Sequence, residues 1–314
     1  MNQEEPEVAR YEIQNSLWWI GTTGLNGVRQ DTIQYMPRSF IRELSNALHR
    51  QYPKMWMVGE VFERNDAAQT AFFIGGHQGW DGIDTKLDSV FDFPLWNTSL
   101  LAFTNKVPMR ALRDQLKNDA LYPDPAKLTM FANNHDTVRF MSLEDATLEG
   151  AMMHVAFTLS VRGTPELYYG EEIAMEGKED PDNRRDFPGG FPGDPRNAFV
   201  AAERKPKEQR MFEWTRNWIR LRAEHSALRS GRLTDLFYDD DAYVFARQDQ
   251  NETVVVAFNR ADKEKKISVP AGSVGLKDGA ALNVLIGTAT ESRVVKGQAV
   301  LTLAKNSALA FVVH

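Results

Sequence analysis

The spacing of hydrophobic residues divides the first 170 positions of the chain into alternating strands and helices. Five short apolar runs have the length of β-strands, at residues 25–31, 55–61, 87–95, 128–131 and 166–169. Four further stretches have the apolar pattern of helices, at residues 6–20, 40–48, 109–116 and 147–161. Because strands that alternate with helices form parallel sheets or barrels, the pattern predicts an α/β fold in this part of the chain.

The pattern changes twice toward the C-terminus. Residues 177–198 are rich in proline, glycine and charge, so a loop is predicted there, after the fifth strand. A long amphipathic helix follows, and beyond Gly231 short β-branched runs alternate with turn residues. We therefore predict two domains, a strand–helix domain over residues 1–231 and an all-β antiparallel domain over residues 232–314.

Composition narrows the class of protein. The chain has 314 residues, 42% hydrophobic and 25% charged, values typical of a globular protein. Its net charge of −6 gives no electrostatic reason to bind nucleic acid or an anionic membrane surface. There is no cysteine, which excludes disulfides and thiolate metal sites, and no apolar run approaches the ~18 residues of a membrane-spanning helix. We expect neither a metal ion nor another cofactor.

Three carboxylates follow predicted strands and are the main candidates for chemistry. Asp31, Glu60 and Asp136 each lie where a short apolar run ends. Barrels place catalytic residues at the C-terminal ends of different strands. Cleavage of a glycosidic bond with retention needs a carboxylate nucleophile and a carboxylic acid ~5–5.5 Å apart. The three positions therefore favour an enzyme that cleaves glycosidic bonds.

Neighbouring residues indicate different roles for these carboxylates. Arg29 lies two residues before Asp31, on the same face of the strand, and would keep Asp31 ionised as a nucleophile requires. Glu60 lies among apolar residues, where burial raises the pKa of a carboxyl group, as a general acid requires. His135 and Asp136 can hydrogen-bond adjacent sugar hydroxyls. A single such residue is more often a turn or capping residue, and only the conjunction of the motifs indicates catalysis.

These motifs resemble those of the α-amylase superfamily, glycoside hydrolase family 13, and in particular its neopullulanase and cyclomaltodextrinase branch. Residues 27–31 resemble the nucleophile motif, residues 59–61 the acid/base motif and residues 134–136 the third-carboxylate motif. Residues 162–172 resemble the segment over the last barrel strand, and the part after Gly231 resembles the C-terminal domain of the family. The resemblance covers essentially the whole chain.

The resemblance implies roles for particular residues. Asp31 would be the nucleophile, Glu60 the general acid/base and Asp136 the stabiliser of the transition state. The residues expected to contact the substrate are Arg29, Tyr35, Asn134, His135 and Arg185. The implied reaction is retaining hydrolysis of α-glucosidic bonds in starch-derived oligosaccharides such as maltodextrin, cyclodextrin or pullulan. Calcium, which many α-amylases bind, is not expected, because Tyr35 stands where many relatives carry histidine.

The resemblance also implies that part of the family's barrel is missing. The family has an Asp and a His at the end of its third strand, and no such motif precedes residue 27. A strand–helix unit needs roughly thirty residues, so the first three units have no room. We therefore expect the C-terminal part of a larger enzyme, with about strands 4–8 of a (β/α)8 TIM barrel and then an antiparallel β-sandwich. Exposed strand edges predict low stability and little activity for the chain alone, unless another chain or a homo-oligomer completes it.

Several alternatives stay open at this stage. A transglycosylase or isomerase would use the same covalent intermediate, and a non-catalytic sugar-binding or partner subunit could share the scaffold. A generic α/β protein with coincidental motifs is a third class. The motifs do not separate α-1,4 from α-1,6 linkages. A periplasmic or secreted location is slightly favoured over a cytoplasmic one, since a signal peptide would lie upstream of this sequence.

Overall fold

A computed structural model describes residues 1–272, 275, 279, 283–287 and 289–313 of the chain. These residues form two compact units. The first unit consists of Met1–Asn97 and Lys117–Met130, and the second unit of Thr98–Leu116 and Phe131–His314. Within the described residues, no helix is both long enough and apolar enough to cross a membrane.

The first unit is built on three parallel strands with helices between them. Its strands are β1 (Gly27–Gln30), β2 (Trp56–Gly59) and β3 (Ser89–Val90), and its helices are α1 (Pro6–Thr23), α2 (Arg38–Gln51) and α3 (Ala67–Phe73). The strand order is β1-β2-β3, and both pairings are parallel. Strand β1 is therefore an edge strand of this sheet. The strand–helix alternation predicted from the sequence is present.

Local sequence explains how the helices of the first unit begin and end. Helix α1 ends at Gly24, which has a left-handed φ of 72° that glycine adopts without strain. The apolar positions of α2 recur at helical spacing and are all buried, namely Phe40, Ile41, Leu44 and Leu48. They pack into a hydrophobic core with residues of the strands, including Met57 and Val90. Burial of this stripe holds α2 against the sheet.

The strand predicted over residues 87–95 is much shorter than expected, and a helix replaces its second half. Strand β3 covers only Ser89–Val90, and helix α4 covers Phe93–Phe103. The Asp92 carboxylate accepts a hydrogen bond from the backbone N–H of Leu95 at 3.1 Å, which caps the first turn. Pro94 lies in that first turn, where its missing N–H and fixed φ suit a helix. The Asp92 cap and Pro94 therefore favour a helix where the apolar run alone predicted a strand.

The helices of the second unit come before its β-domain. They are α5 (Arg110–Leu116), α6 (Leu148–Ser160), α7 (Pro206–Glu224) and α8 (Ser226–Ser230), and strand β4 (Thr129–Phe131) precedes α6. Strand β5 covers Thr164–Glu166, so the strand predicted over 166–169 was placed too late. The carbonyl of Tyr169 accepts a hydrogen bond from Arg139 Nη1 at 2.7 Å, and Gly170 has a φ of 88°. The chain has left the extended conformation by that point.

The C-terminal part of the second unit is an antiparallel β-domain. Its strands are β6 (Arg232–Tyr238), β7 (Ala242–Gln248), β8 (Thr253–Asn259), β9 (Lys265–Pro270), β10 (Asn283–Ile286), β11 (Ala289–Val295), β12 (Gln298–Leu303) and β13 (Ser307–Val313). One sheet has the order β10-β13-β8-β7-β6 and the other the order β11-β12-β9. Apolar side chains from both sheets form one buried core. The predicted antiparallel domain is confirmed, while its predicted boundary at residue 231 stays a prediction.

Candidate active site

Asp31 and Glu60 follow neighbouring ends of the parallel pair β1 and β2. In the register of that pair, Gln30 lies opposite Gly59. The backbone N–H of Glu60 donates to the carbonyl of Gln30 at 2.9 Å, which extends the pairing by one residue. The parallel pairing therefore brings the two carboxylates to the same edge of the sheet.

A single guanidinium joins these two carboxylates. Arg29 Nη1 lies 2.6 Å from Asp31 Oδ1, and Arg29 Nη2 lies 2.7 Å from Glu60 Oε1. Charge-assisted hydrogen bonds of this length fix the orientation of both acceptors. Because two nitrogens of one planar group bond them, the guanidinium of Arg29 holds the two carboxyl groups close together.

The environments of the two carboxyl groups differ strongly. The side chain of Glu60 is 3% exposed, whereas that of Asp31 is 61% exposed. Burial raises the pKa of Glu60, and the nearby Asp31 carboxylate also raises it. The backbone N–H of Thr32, 3.2 Å from Glu60 Oε2, and the charge of Arg29 lower it in part. The pair therefore contains one buried group whose pKa is raised and one group that is open to solvent.

The backbone around this pair is tightly held. The N–H of Ile33 donates to the carbonyl of Glu60 at 3.0 Å, and the N–H of Phe62 donates to Gln34 Oε1 at 2.7 Å. Thr32 takes a left-handed φ of 46°, which turns the chain after the strand. Tyr35, predicted to contact the substrate, ends the short 3-10 helix Ile33–Tyr35 and is 79% exposed.

The predicted third-carboxylate segment lies in the second unit and is ordered by its own side chains. Asn134 Oδ1 accepts a hydrogen bond from the backbone N–H of Asp136 at 2.9 Å, and Thr137 Oγ1 accepts one from the N–H of Asn134 at 3.1 Å. His135 Nε2 lies 3.0 Å from Asp136 Oδ2. The Asn134 amide is buried, while the side chains of His135 and Asp136 are 37% and 30% exposed. Asn134 therefore shapes the turn that presents its two neighbours to solvent.

The proline- and glycine-rich loop supplies contacts to this segment that sequence reasoning did not identify. Arg184 Nη2 donates to Asp136 Oδ1 at 2.9 Å. Asn183 is 1% exposed, and its Nδ2 donates to the carbonyls of His135 at 2.7 Å and Thr137 at 3.0 Å. Arg185, the predicted substrate contact in this loop, instead pairs with Asp182 three residues before it. Loop composition gave no signal for Asn183 and Arg184, since only the loop conformation selects them.

A buried glutamate supports the same segment from a third direction. Glu171 Oε1 accepts a hydrogen bond from Asn133 Nδ2 at 2.7 Å, and Asn133 Oδ1 accepts one from the N–H of Phe140 at 2.8 Å. Burial raises the pKa of Glu171 to about 8. Its Oε2 atom has no hydrogen-bond partner, which suits a carboxyl group that carries a proton. Sequence reasoning read this residue only as part of a motif.

A metal site finds no support in the described ranges of the chain. No group of three or more His, Asp or Glu side chains there could hold a metal ion. The expectation that neither a metal nor a cofactor takes part stays a prediction.

Comparison with known proteins identifies the class of protein that this fold and site define. Residues 1–220 match the model of the α-amylase catalytic domain, and residues 231–310 match that of the α-amylase C-terminal domain. The chain therefore belongs to the α-amylase family. The predicted family and the predicted fold, a partial barrel followed by an antiparallel β-domain, are confirmed.

The chain is also similar to individual members of the family. It is 28% identical over 282 residues to a cyclomaltodextrinase of Geobacillus thermopakistaniensis, covering 88% of this chain and 43% of that protein. It is 28% identical over 310 residues to neopullulanase 2 of Thermoactinomyces vulgaris, covering 96% of this chain and 48% of that protein. The chain thus spans less than half the length of these two relatives.

The fold of the chain is similar to that of a solved α-amylase structure. The α-amylase of Geobacillus thermoleovorans, complexed with acarbose, is 26% identical and superposes with a TM-score of 0.83. The match covers 100% of this chain and 65% of that one.

Proposed function

We propose that this chain carries the catalytic carboxylates of a retaining α-glucosidic hydrolase that acts on starch-derived oligosaccharides. The arrangement of Asp31 and Glu60 on the guanidinium of Arg29 carries the proposal. It pairs an exposed carboxylate with a buried carboxyl group of raised pKa, and both are bonded to one guanidinium, as suits a nucleophile and an acid that act on one bond. Relatives named cyclomaltodextrinase and neopullulanase, and a structural neighbour complexed with acarbose, support the substrate class.

In the first step, Asp31 attacks the anomeric carbon of the sugar, and Glu60 gives its proton to the departing glycosidic oxygen. The glycosidic bond breaks as a covalent ester to Asp31 forms. In the second step, Glu60 removes a proton from water as that water attacks the anomeric carbon and releases Asp31. Both steps invert the anomeric carbon, so the product keeps the α configuration.

Arg29 has two tasks in this scheme. Its charge favours the ionised form of Asp31 before the attack, and its bond to Glu60 orients the proton donor. Asn134, Asn183 and Arg184 hold Asp136 and His135 in place, so these two side chains are set to bind sugar hydroxyls.

The test is reducing-sugar release from maltoheptaose, β-cyclodextrin and pullulan by the chain and by its Asp31→Asn and Glu60→Gln variants. We expect weak hydrolysis by the parent chain, whose barrel is partial, and no measurable hydrolysis by either variant. Asp262→Asn, which removes an exposed carboxylate of the β-domain, is the matched control and should keep full activity. Hydrolysis that survives Asp31→Asn, or a parent chain without activity, would contradict the proposal. Chromatography of the products separates hydrolysis from transfer to a second sugar.

A further inference from the structure

A groove of about 630 Å³ in the first unit has no role in the reaction described above. Its wall includes Gln34, Gln69, Phe72, His77, Gln78 and Trp80. Gln34 follows Asp31 by three residues, and its side chain accepts from the N–H of Phe62, two residues after Glu60. The groove therefore starts beside the loops that carry the two carboxylates.

Trp80 is the most unusual residue of this groove. Its side chain is 89% exposed, although burying an indole is strongly favourable. Its ring is stacked on that of Phe72, with centroids 5.2 Å apart and planes inclined by 6°. One face of the indole is thus backed by a second ring while the other is presented to solvent.

The Phe72 ring, on which Trp80 stacks, is held in place by its neighbours. The Arg38 guanidinium lies 3.8 Å from the centroid of the Phe72 ring and is itself buried. Arg38 pairs with Asp81 and donates to the carbonyl of Ile83 at 2.8 Å. Gly79 lets the chain approach closely, since a Cβ there would lie 2.6 Å from Phe72 Cε2. A flat aromatic surface is therefore held in a set orientation.

The hydrogen-bonding side chains around this surface are mostly neutral amides, together with an imidazole and the carboxylate of Asp66. The side-chain amides of Gln69 and Gln78 are exposed and make no hydrogen bond within the described ranges. The Asp66 carboxylate caps helix α3 by accepting from the N–H groups of Ala68 and Gln69. The wall of the groove holds no lysine or arginine among the described residues. This chemistry suits an uncharged ligand with hydroxyl groups better than an anion or a basic peptide.

From this geometry we propose that the groove is a glucan-binding subsite, in which one glucose ring of the substrate chain stacks on Trp80. The C–H face of a pyranose packs on an indole face, while amides accept from and donate to its hydroxyls. The subsite rests on the proposed function for its substrate class. It adds a site away from the reacting bond that selects longer α-glucan chains.

The test measures binding rather than turnover. Maltoheptaose titrations followed by calorimetry, and native electrophoresis in gels containing amylopectin, are run with the whole chain in the Asp31→Asn background. Added Trp80→Ala should weaken maltoheptaose binding roughly tenfold and reduce retardation by amylopectin, as loss of one stacking contact does. Trp80→Phe should restore part of the affinity, because it keeps an aromatic ring.

Trp18→Ala is the matched control, since Trp18 is also a largely exposed tryptophan but lies on α1 outside the groove. It should bind like the parent. Equal binding by Trp80→Ala and the parent, or no binding by the parent at millimolar maltoheptaose, would overturn the subsite. The proposed function fails separately, in the reducing-sugar assay. If the chain binds maltoheptaose through Trp80 but does not cleave glucan, the subsite is supported and the hydrolase proposal is contradicted. If it cleaves glucan and the Trp80→Ala variant binds like the parent, the hydrolase proposal is supported and the subsite is contradicted.

Discussion

Asp31 and Glu60 share the guanidinium of Arg29, with one carboxylate on each terminal nitrogen at 2.6 and 2.7 Å. The guanidinium thus lies between a solvent-exposed acid and a buried one. Burial raises the pKa of Glu60 above the ordinary value of a glutamate, and the charge of Arg29 offsets only part of that rise. This division is what acid catalysis beside a nucleophile requires.

Removing the charge of Arg29 should raise the pKa of Glu60 further. In Arg29→Met, burial still disfavours the carboxylate, and the compensating charge is gone, so we expect the pKa of Glu60 to increase. Carbon-13 NMR titration of the Glu60 carboxyl group measures it without any need for turnover. Arg29→Lys keeps a positive charge and should show a smaller increase. An unchanged Glu60 pKa in Arg29→Met would show that Arg29 does not act on this group.

A methyl group at position 59 should disturb the position of Glu60. A Cβ on Gly59 would lie 2.4 Å from Ile33 Cδ1 and 3.0 Å from Leu87 Cδ1, and Ile33 is fully buried. We expect Gly59→Ala to lower the free energy of unfolding by about 1–3 kcal/mol, as overpacking of a core does. Ile33→Val removes the closest atom, so the double variant should lose less than the sum of the two single variants. Strict additivity in urea unfolding would contradict the clash.

Asn183 should matter for the segment that carries Asp136, although it lies in the glycine- and proline-rich loop. Asn183→Asp removes both donors to the carbonyls of His135 and Thr137 and places a carboxylate in a buried position. We expect a loss of about 2–3 kcal/mol in stability, together with a fall in activity. The exposed Asn251→Asp is the control with the same chemical change. Urea unfolding and the maltoheptaose assay measure both effects, and equal behaviour of the two variants would refute the role of Asn183.

Glu171 should make stability fall as the pH rises. Its pKa is about 8 in the folded chain against 4.5 for an ordinary glutamate, so between these values the folded chain holds a proton that the unfolded chain releases. The unfolded state therefore binds fewer protons, and stability decreases over this range. Glu171→Gln cannot ionise, so its stability relative to the parent should increase by about 4 kcal/mol from pH 5 to pH 9.

Urea unfolding at these two pH values measures the effect of Glu171. Glu224→Gln, at an exposed position of α7, is the control and should follow the parent at both values. A parent and a Glu171→Gln variant whose stability difference is the same at both pH values would exclude a raised pKa.

Periodicity and strand-end chemistry predicted a large share of this molecule. The apolar stripe of α2 and the β-branched runs after Gly231 depend on burial alone, and burial leaves a period in the sequence. The placement of Asp31 and Glu60 followed from parallel pairing, since successive parallel strands end at the same edge.

The remaining features depend on tertiary contacts, which leave no hydrophobic periodicity in the sequence. The helix from Phe93 replaces a predicted strand because Asp92 caps it. The backbone of the loop directs Arg184 to Asp136 and Arg185 to Asp182, and the sequence does not show which of these two adjacent arginines contacts Asp136. The platform under Trp80 needs Arg38 and Phe72 to meet across a loop, and composition alone does not reveal such a meeting.

The position of β1 at the margin of its sheet has a consequence for how this chain behaves in solution. Among the described residues, β1 (Gly27–Gln30) pairs with a strand on one side only, so its other side could pair with a further strand. Docking of such a strand would be a second-order event, with a rate set by protein concentration and by the charges of the incoming segment. Because Asp31 directly follows this strand, such docking would change the surroundings of its carboxylate as the protein concentration rises.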